Sequence, residues 1–567
     1  MIIEIDKYTL RTLIQRSFKK FGALPAIAFV NEKPRTYAEL ENEVTKLAAN
    51  LLSRGIQKGD KVAILGTNSP EWVIAYLATV FIGAVAVPIL PLFPDADVRH
   101  IIRNSESVIL FVAQKQRSKI ESMEGSNLHS IYSLEDFSIE ELQPVPKNQF
   151  EKTVQELETK LGKVPTATEI LEVFPEPEPE DLAAIIYTSG TTGHSKGVML
   201  THKNITIDVV YSIEKFPLTS ADRFLSLLPL SHTFEATGGM LCPLAAGVSI
   251  FYMEGLPTPQ KLLTSMEQAK PTGVLTVPLV MDKIYRKKIL PQIQSKKITN
   301  RLYQMSTFRK LLNKVAGKKL IKSLGGCLRF FMFGGAALNE DVEIFLRDAK
   351  ISYSTGYGMT ETSPIMTINP FGKVRVGSCG QPIPGIEMKI HEPDPITKIG
   401  EIVIKGPIVM QGYYKNPDVT KQAFLDEEWL KTGDLGYFDN DGYLFIKGRS
   451  KNVIVGPSGE NIYPEIIEQQ ILQSPYIQEV VVYSSKGKLV AKAYPDYDYL
   501  DQACQRDKLN ETESKKAIEE ILEKVRKEIN EQLPEFSRIS KLIEYPEPFE
   551  KTPTNKVKRY LYISHEE

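Results

Sequence analysis

Cysteine is scarce in this chain: its four cysteines, Cys242, Cys327, Cys379 and Cys504, lie far apart and form no CxxC pair or Cys/His pair with metal-ligand spacing. A disulfide framework and a structural zinc site are therefore not expected, and a reducing compartment is the default reading. Net charge is almost absent as well. Lys and Arg number 69 against 70 for Asp and Glu, which leaves no global electrostatic case for nucleic acid. The N-terminus MIIEIDKYTL lacks the basic start and apolar stretch of a secretion signal, so a cytoplasmic protein is expected. Long uncharged runs are rare. The one that matters, Trp72 to Pro94, is long enough to span a bilayer, but Gly83, Pro88 and Pro91 interrupt it. They predict a buried helix from Glu71 to about Ile82, followed by a buried strand around 84–87.

What remains is the composition of an ordinary soluble protein, 42 % apolar and 25 % charged. At 567 residues it exceeds what one core usually organises, so at least two domains are expected. Thr36 and Glu39 stand at capping-box spacing ahead of Leu40, Val44, Leu47 and Leu51 on one helical face, and Gly55 is the stop. Strands at 61–65, near 84 and at 108–112 alternate with helices from 71 and near 98. That alternation predicts an α/β fold with a mainly parallel sheet. Residues 115–180 are richer in charge and proline and read as a peripheral excursion. After about Asn440 the pattern changes to short strands (443–446, 479–483, 489–493) and a charged amphipathic helix over 513–532, as in a small α+β domain. Between Asp282 and Lys322 there are thirteen Lys and Arg with only Asp282 opposing them, interleaved with Leu, Ile, Tyr and Phe. Two readings stand for this stretch, a solvated helical face and a peripheral contact with anionic lipid.

The strongest local signal follows an apolar strand: Tyr187-Thr188-Ser189-Gly190-Thr191-Thr192-Gly193-His194-Ser195-Lys196-Gly197. Hydroxyls and closely approaching backbone amides suit a triphosphate, and Lys196 supplies a compact positive charge. The spacing is not that of GxxxxGK[ST], which disfavours an ordinary P-loop ATPase. The segment resembles the phosphate loop YTSGTTGxxKG of the adenylate-forming superfamily of acyl-CoA synthetases, adenylation domains and luciferases. Further elements of that family follow in its order, although each alone is compatible with an ordinary turn, loop or solvated tail.

The resemblance implies a large N-terminal domain over 1–448, with parallel-type sheets and packed helices, joined by a hinge at Lys451 to a small mobile α+β domain over 449–567. It implies ATP, Mg²⁺ and coenzyme A as co-substrates. Thr188, Ser189, Gly190, Thr191, Thr192 and Lys196 would hold phosphates. Gly334, Gly335 and Ala336, closing the apolar strand at 330–333, would border adenine and the acyl pocket. Tyr357 and Gly358 would lie against the purine, Thr360 would bind the α-phosphate, and Glu361 with Thr188 would hold the metal. Asp434 of the TGD turn would bind the ribose hydroxyls and Arg449 would contact ribose and phosphate. Lys556 would swing in during adenylation to stabilise charge gathering on the phosphorus.

His232, within Leu228-Pro229-Leu230-Ser231-His232-Thr233-Phe234-Glu235, matches the family's PLxH element. Its implied role is to orient the carboxylate, which is already deprotonated and needs no general base. Small Ala236, Gly238 and Gly239 leave room for a long chain, with Val277 as added wall. The form resembles long-chain acyl-CoA synthetases, so a medium- or long-chain fatty acid is the expected substrate. Gly459 and Glu460 resemble the loop lining the thiol tunnel, but the inserted-looking Gly456-Pro457 leaves acceptor identity open between coenzyme A and acyl carrier protein. A fatty acyl-AMP ligase, a catalytically silent scaffold and a homodimer also stay open at this point.

Overall fold

The computed structural model describes residues 3–563 apart from 122, 124, 145–148, 189–194, 256–257, 295–296, 457–459, 505–509 and 553–555. The chain falls into two compact units, Met1–Met388 with Ile404–Leu430, and Lys389–Val403 with Lys431–Glu567.

Among the described residues the first unit holds two large sheets. One has eight strands in the order Gly412–Tyr413, Lys196–Thr201, Leu182–Thr188, Val85–Ile89, Lys61–Leu65, Ile109–Val112, Ser130–Ser133, Ile139–Glu141. Its centre is parallel and both ends turn antiparallel. The other runs through Ile365–Ile368, Tyr353–Gly358, Phe330–Phe333, Gly273–Thr276 and Arg223–Ser226 and is again parallel through its middle. Buried apolar strands flanked by helices are what the alternation predicted.

Local sequence explains the framing helices. Thr36 and Glu39 form the expected capping box, with 2.7 and 3.2 Å hydrogen bonds, at the start of Tyr37–Ser53, whose Leu40, Val44, Leu47 and Leu51 are buried. The uncharged run becomes the buried helix Pro70–Phe81, capped by Ser69, then Gly83 at φ 73° and the strand Val85–Ile89. No helix among the described residues is long and apolar enough to cross a membrane.

The expectation for 115–180 needs correction. Ser130–Ser133 and Ile139–Glu141 extend the eight-stranded sheet, and Arg11 donates to the Leu171 carbonyl at 3.2 Å, tying the helix Ala167–Val173 inward. Ser130–Ser133 is buried but only four residues long, and Ile139–Glu141 is a three-residue exposed edge strand, so neither is long enough to show a periodic pattern.

The second unit contains a hairpin in which the segment from Lys431 pairs with Leu444–Arg449, Asp434 opposite Arg449. The compact second unit thus takes in 431–448 together with the residues that follow. Ile477–Ser485, Lys488–Pro495 and Ile539–Glu544 form a three-stranded sheet packed by Pro464–Ile471 and Glu511–Gln532.

Candidate functional site

The strand Leu182–Thr188 and its antiparallel partner Lys196–Thr201 put Thr188 directly opposite Lys196 at the loop end of a hairpin. Ser189, Gly190, Thr191 and Thr192, which join them, lie outside the described residues. Gly197 has no room for a side chain, since a Cβ would stand 2.8 Å from Ile185 and 3.1 Å from the Tyr187 ring.

Gly412–Tyr413 pairs with the outer strand of this hairpin, Tyr413 opposite Val198. From there the Tyr413 hydroxyl donates to Glu361 Oε1 at 2.9 Å, and Lys196 Nζ stands 5.4 Å from the Tyr413 ring centre. A backbone bond from the Met410 amide to the Glu361 carbonyl, 2.9 Å, fixes the same approach. Two motifs 165 positions apart, at Lys196 and Glu361, thus share one aromatic ring. Burial raises the Tyr413 pKa and the neighbouring carboxylate raises it further, so the phenol remains a donor.

The Tyr357–Thr362 motif is held by close backbone approach. A Cβ on Gly358 would lie 1.7 Å from the Pro364 carbonyl oxygen, and one on Gly356 2.8 Å from that of Thr367. Asp208, fully buried, accepts from the Ile365 amide at 3.0 Å, and Thr237 Oγ1 donates to the Ser363 carbonyl at 2.9 Å. Burial holds the Asp208 pKa well above the usual carboxyl range.

Next to this motif lies a cavity with a mainly apolar wall. Of the expected residues, His232, Gly238, Gly334, Gly335, Tyr357, Gly358 and Thr360 line it, joined by Phe216, Phe234, Leu275, Met332 and Ile365. Ala236 is buried in the neighbouring core instead. Gly239 faces away from the expected role: a Cβ there would meet the Glu235 carboxylate at 2.6 Å. Val277 stands 3.9 Å from a Cβ built on Gly335, which adopts φ +83°, and Ala336 is exposed.

The His232 loop is clamped from the other sheet's side. Asn68 Nδ2 donates to Ser226 Oγ at 2.9 Å and to the Leu228 carbonyl at 2.6 Å, and Asn68 Oδ1 accepts from the Leu230 amide at 2.8 Å. Ser226 Oγ then donates to Glu235 Oε1 at 2.6 Å, at the start of a stretch wound as a π-helix over Glu235–Leu241. Complete burial pushes the Glu235 pKa up to about 8, opposed by the Ser226 bond.

In the second unit Arg449 Nε stands 2.9 Å from Asp434 Oδ1. The TGD residues, expected as a turn, lie within the strand Trp429–Phe438, where Thr432 Oγ1 donates to the Ile402 carbonyl at 2.8 Å and Ser450 Oγ to the Gly433 carbonyl at 3.1 Å. Lys451 lies in the short turn Ser450–Asn452, and the Glu460 carbonyl accepts from the Gly456 amide at 2.8 Å. Gly459 lies outside the described residues. Lys556 is exposed on a terminal loop closed by the Lys551–Val557 bridge. That loop is anchored by Arg559, whose Nη1 donates to both Glu468 oxygens at 2.6 and 2.8 Å and whose Nη2 donates to the Val482 carbonyl at 2.8 Å.

These side chains fit magnesium–ATP. The cavity wall is backbone-thin at Gly334, Gly335 and Gly358, and Glu361 offers one carboxylate that Tyr413 links to the Lys196 strand. No group of three or more His, Cys, Asp or Glu suited to a metal occurs among the described residues; magnesium is commonly held by one or two carboxylates together with substrate phosphates and water, which Glu361 suits. Sequence reasoning missed Tyr413, Asn68, Asp208 and the Glu468–Arg559 pair. Arg559 closes the Lys556 string Lys551 to Arg559, but its pairing with Glu468 was not legible there; the others sit in no recognisable motif. Glu235 stood within the His232 string, but its burial was not legible there.

Comparison with known proteins follows the same lines. Residues 14–414 match the model described as AMP-binding enzyme, and 451–565 that of the AMP-binding enzyme C-terminal domain. Long-chain-fatty-acid–CoA ligase FadD15 of Mycobacterium bovis is 29 % identical over 473 residues, 79 % of this chain and 74 % of that protein. Long chain acyl-CoA synthetase 6, peroxisomal, of Arabidopsis thaliana is 31 % identical over 561 residues, 92 % of this chain and 79 % of its own. The anthranilate CoA ligase AuaEII in complex with anthranoyl-AMP shares the fold, with a TM-score of 0.76 at 22 % identity over 99 % of this chain and 97 % of that one. With its motifs in family order and most of its length matched, the chain belongs to the AMP-binding enzyme family.

Proposed function

We propose that this protein activates a medium- or long-chain fatty acid with ATP as acyl-AMP and transfers the acyl group to coenzyme A. It is an AMP-forming carboxylic acid–thiol ligase, with ATP, Mg²⁺ and coenzyme A as co-substrates. The observation that carries the reading is Tyr413, which joins the phosphate hairpin at Lys196 to the Glu361 motif beside a mainly apolar cavity.

In the first half-reaction a carboxylate oxygen bonds to the α-phosphorus of ATP, the bond to the bridging oxygen breaks, and pyrophosphate leaves. Charge gathers on the phosphoryl oxygens, and preorganised donors there act more strongly than on the ground state. Lys196, Thr188 and Thr360 are assigned to those oxygens, and Lys556 is assigned to join them. Glu361 and Thr188 would hold Mg²⁺, which would supply neutralisation of the phosphate charge. His232 orients the carboxylate at the cavity mouth. Asp434 and Arg449 are assigned to the ribose, with a pivot at Lys451 bringing Glu460 and Gly459 to the thiol path. In the second half-reaction the thiol sulfur bonds to the acyl carbon and AMP leaves, the thiol proton passing to solvent.

The apolar lining from Phe216, Phe234, Leu275, Met332 and Ile365 supports an extended hydrocarbon acid. A cytoplasmic location fits the cysteine usage. A pyrophosphate-release screen from acetate to oleate, with coenzyme A or holo carrier protein as acceptor, tests the reading. Release that peaks with long acids and continues only with coenzyme A supports it, whereas turnover with carrier protein alone transfers the assignment to an acyl-carrier-protein ligase.

A further inference from the structure

The basic stretch from Asp282 becomes a helical excursion that starts at the cavity wall. Val277, beside Gly335, caps the helix Pro278–Ile284, and the excursion ends with the helix Ser306–Ser323. This last helix has two apolar faces, and only one is used by the fold. Its inner face carries Gly317, where a Cβ would come within 2.6 Å of Ala349, and the buried Asn313 and Leu320. Arg309 and Asn313 bond Asp348 at 3.2 and 3.4 Å, and Tyr303 donates to Asn313 at 2.9 Å. The helix is thereby pinned in rotation, so its other face points outward.

That outer face presents Phe308, Leu311 and Val315, exposed by 40, 59 and 49 %. Their spacing, i, i+3 and i+7, places them in one stripe. One turn further on, the same stripe is occupied by Lys318, Lys319 and Lys322, all exposed. Large apolar residues are seldom left in a row in water. Acidic residues are missing from 283–323, so the charge that this segment itself contributes has a single sign. An apolar half followed by a cationic half matches a bilayer surface, where side chains enter the acyl boundary and ammonium groups meet anionic headgroups.

We propose that the outer face of Ser306–Ser323 is a docking surface for membranes carrying anionic lipid, with Phe308, Leu311 and Val315 entering the bilayer and Lys318, Lys319 and Lys322 on the headgroups. Charge complementarity selects this occupant. The inference goes beyond the ligase reading and stands without it, because docking is measured with no acid, nucleotide or thiol present.

The test is flotation of the intact protein with phosphatidylcholine vesicles, plain or containing phosphatidylserine at about one part in three, with thermal unfolding as the check on folding. The wild type is expected to float with the anionic vesicles at ~0.05 M salt and to lose binding about fivefold on plain vesicles or at ~0.5 M salt. The triple variants Phe308→Ser/Leu311→Ser/Val315→Ser and Lys318→Glu/Lys319→Glu/Lys322→Glu are each expected to lose binding by about fivefold at an unchanged unfolding midpoint. Absence of wild-type flotation overturns the proposal. So does full binding by the serine variant, which would leave a purely electrostatic contact, or retention on duplex DNA without flotation, which would assign the face to nucleic acid.

Discussion

The Tyr413 hydroxyl donates to Glu361 Oε1 across 2.9 Å while the Tyr413 ring lies 5.4 Å from Lys196 Nζ. One side chain thereby links the carboxylate that the resemblance assigns to the metal ion and the ammonium it assigns to the phosphates. Tyr413→Phe keeps the ring and removes the donor. A hydrogen bond to a charged group contributes roughly 1.5–3 kcal/mol, so kcat/KM for magnesium–ATP is expected to fall about tenfold. Steady-state kinetics with a magnesium titration checks this. An unchanged magnesium dependence would show that Tyr413 does not hold Glu361 for the ion.

Lys556→Ala is expected to lower acyl-AMP formation by about a hundredfold or more, the scale of losing one preorganised donor at developing charge. Thioester formation from synthetic acyl-AMP should remain mostly intact. Measuring the half-reactions separately decides the matter, since equal loss of both removes Lys556 from the role given to it.

Arg559 anchors the loop that carries Lys556 by pairing with the buried Glu468. Burial raises the Glu468 pKa, and the guanidinium opposes that shift. Arg559→Met leaves the acid buried without its partner, and a destabilisation of about 3–5 kcal/mol is expected. Adding Glu468→Gln should recover much of it. Urea unfolding followed by far-ultraviolet circular dichroism reads both variants.

Gly238 stands on the cavity wall with a Cβ position 2.9 Å from Leu275 Cδ2. Gly238→Leu fills that space and strains the wall by about 1–3 kcal/mol. Activity on palmitate is expected to drop at least about tenfold while activity on butyrate is kept, a discrimination of the size that pocket volume supplies. Parallel loss on both acids would mean that the chain runs elsewhere.

Glu235 gives a pH signature. Its pKa rises from 4.5 to about 8 in the folded chain, through burial first. A carboxyl held protonated by folding contributes stability that is fully present below the unfolded pKa and is lost as pH climbs toward the folded one. The wild-type unfolding midpoint should therefore fall between pH 5 and 8 more steeply than that of Glu235→Gln, by an amount of the order of a few kcal/mol in stability. Differential scanning calorimetry across that range checks it, and matching slopes would place the acid in contact with water.

Much of the fold was legible because its signals are local. The Thr36–Glu39 box, the Ser69-Pro70 start and the glycine at 83 act over a few residues, and the apolar strands read without their neighbours. The hydroxyl-rich string at 188–192 was equally plain. The strands at 130–133 and 139–141 were not, since four and three residues are too few for a period to show, whether the strand is buried, as the first is, or an exposed edge, as the second is. Gly239 misled for a related reason. A small residue shows that something comes close, and here the neighbour is Glu235 rather than an acyl chain.

Chain order and residue chemistry alone settled the α/β class, the helix caps and the order of the nucleotide motifs, because caps, periodicity and motif spacing are properties of neighbouring residues. Folding in three dimensions settled which distant groups meet: Tyr413 with Glu361, Asn68 with the His232 loop, Glu468 with Arg559, and which side of Ser306–Ser323 faces water. Contacts of that kind depend on strand pairing and helix rotation, which are fixed only when the core closes and every buried polar group must find its partner.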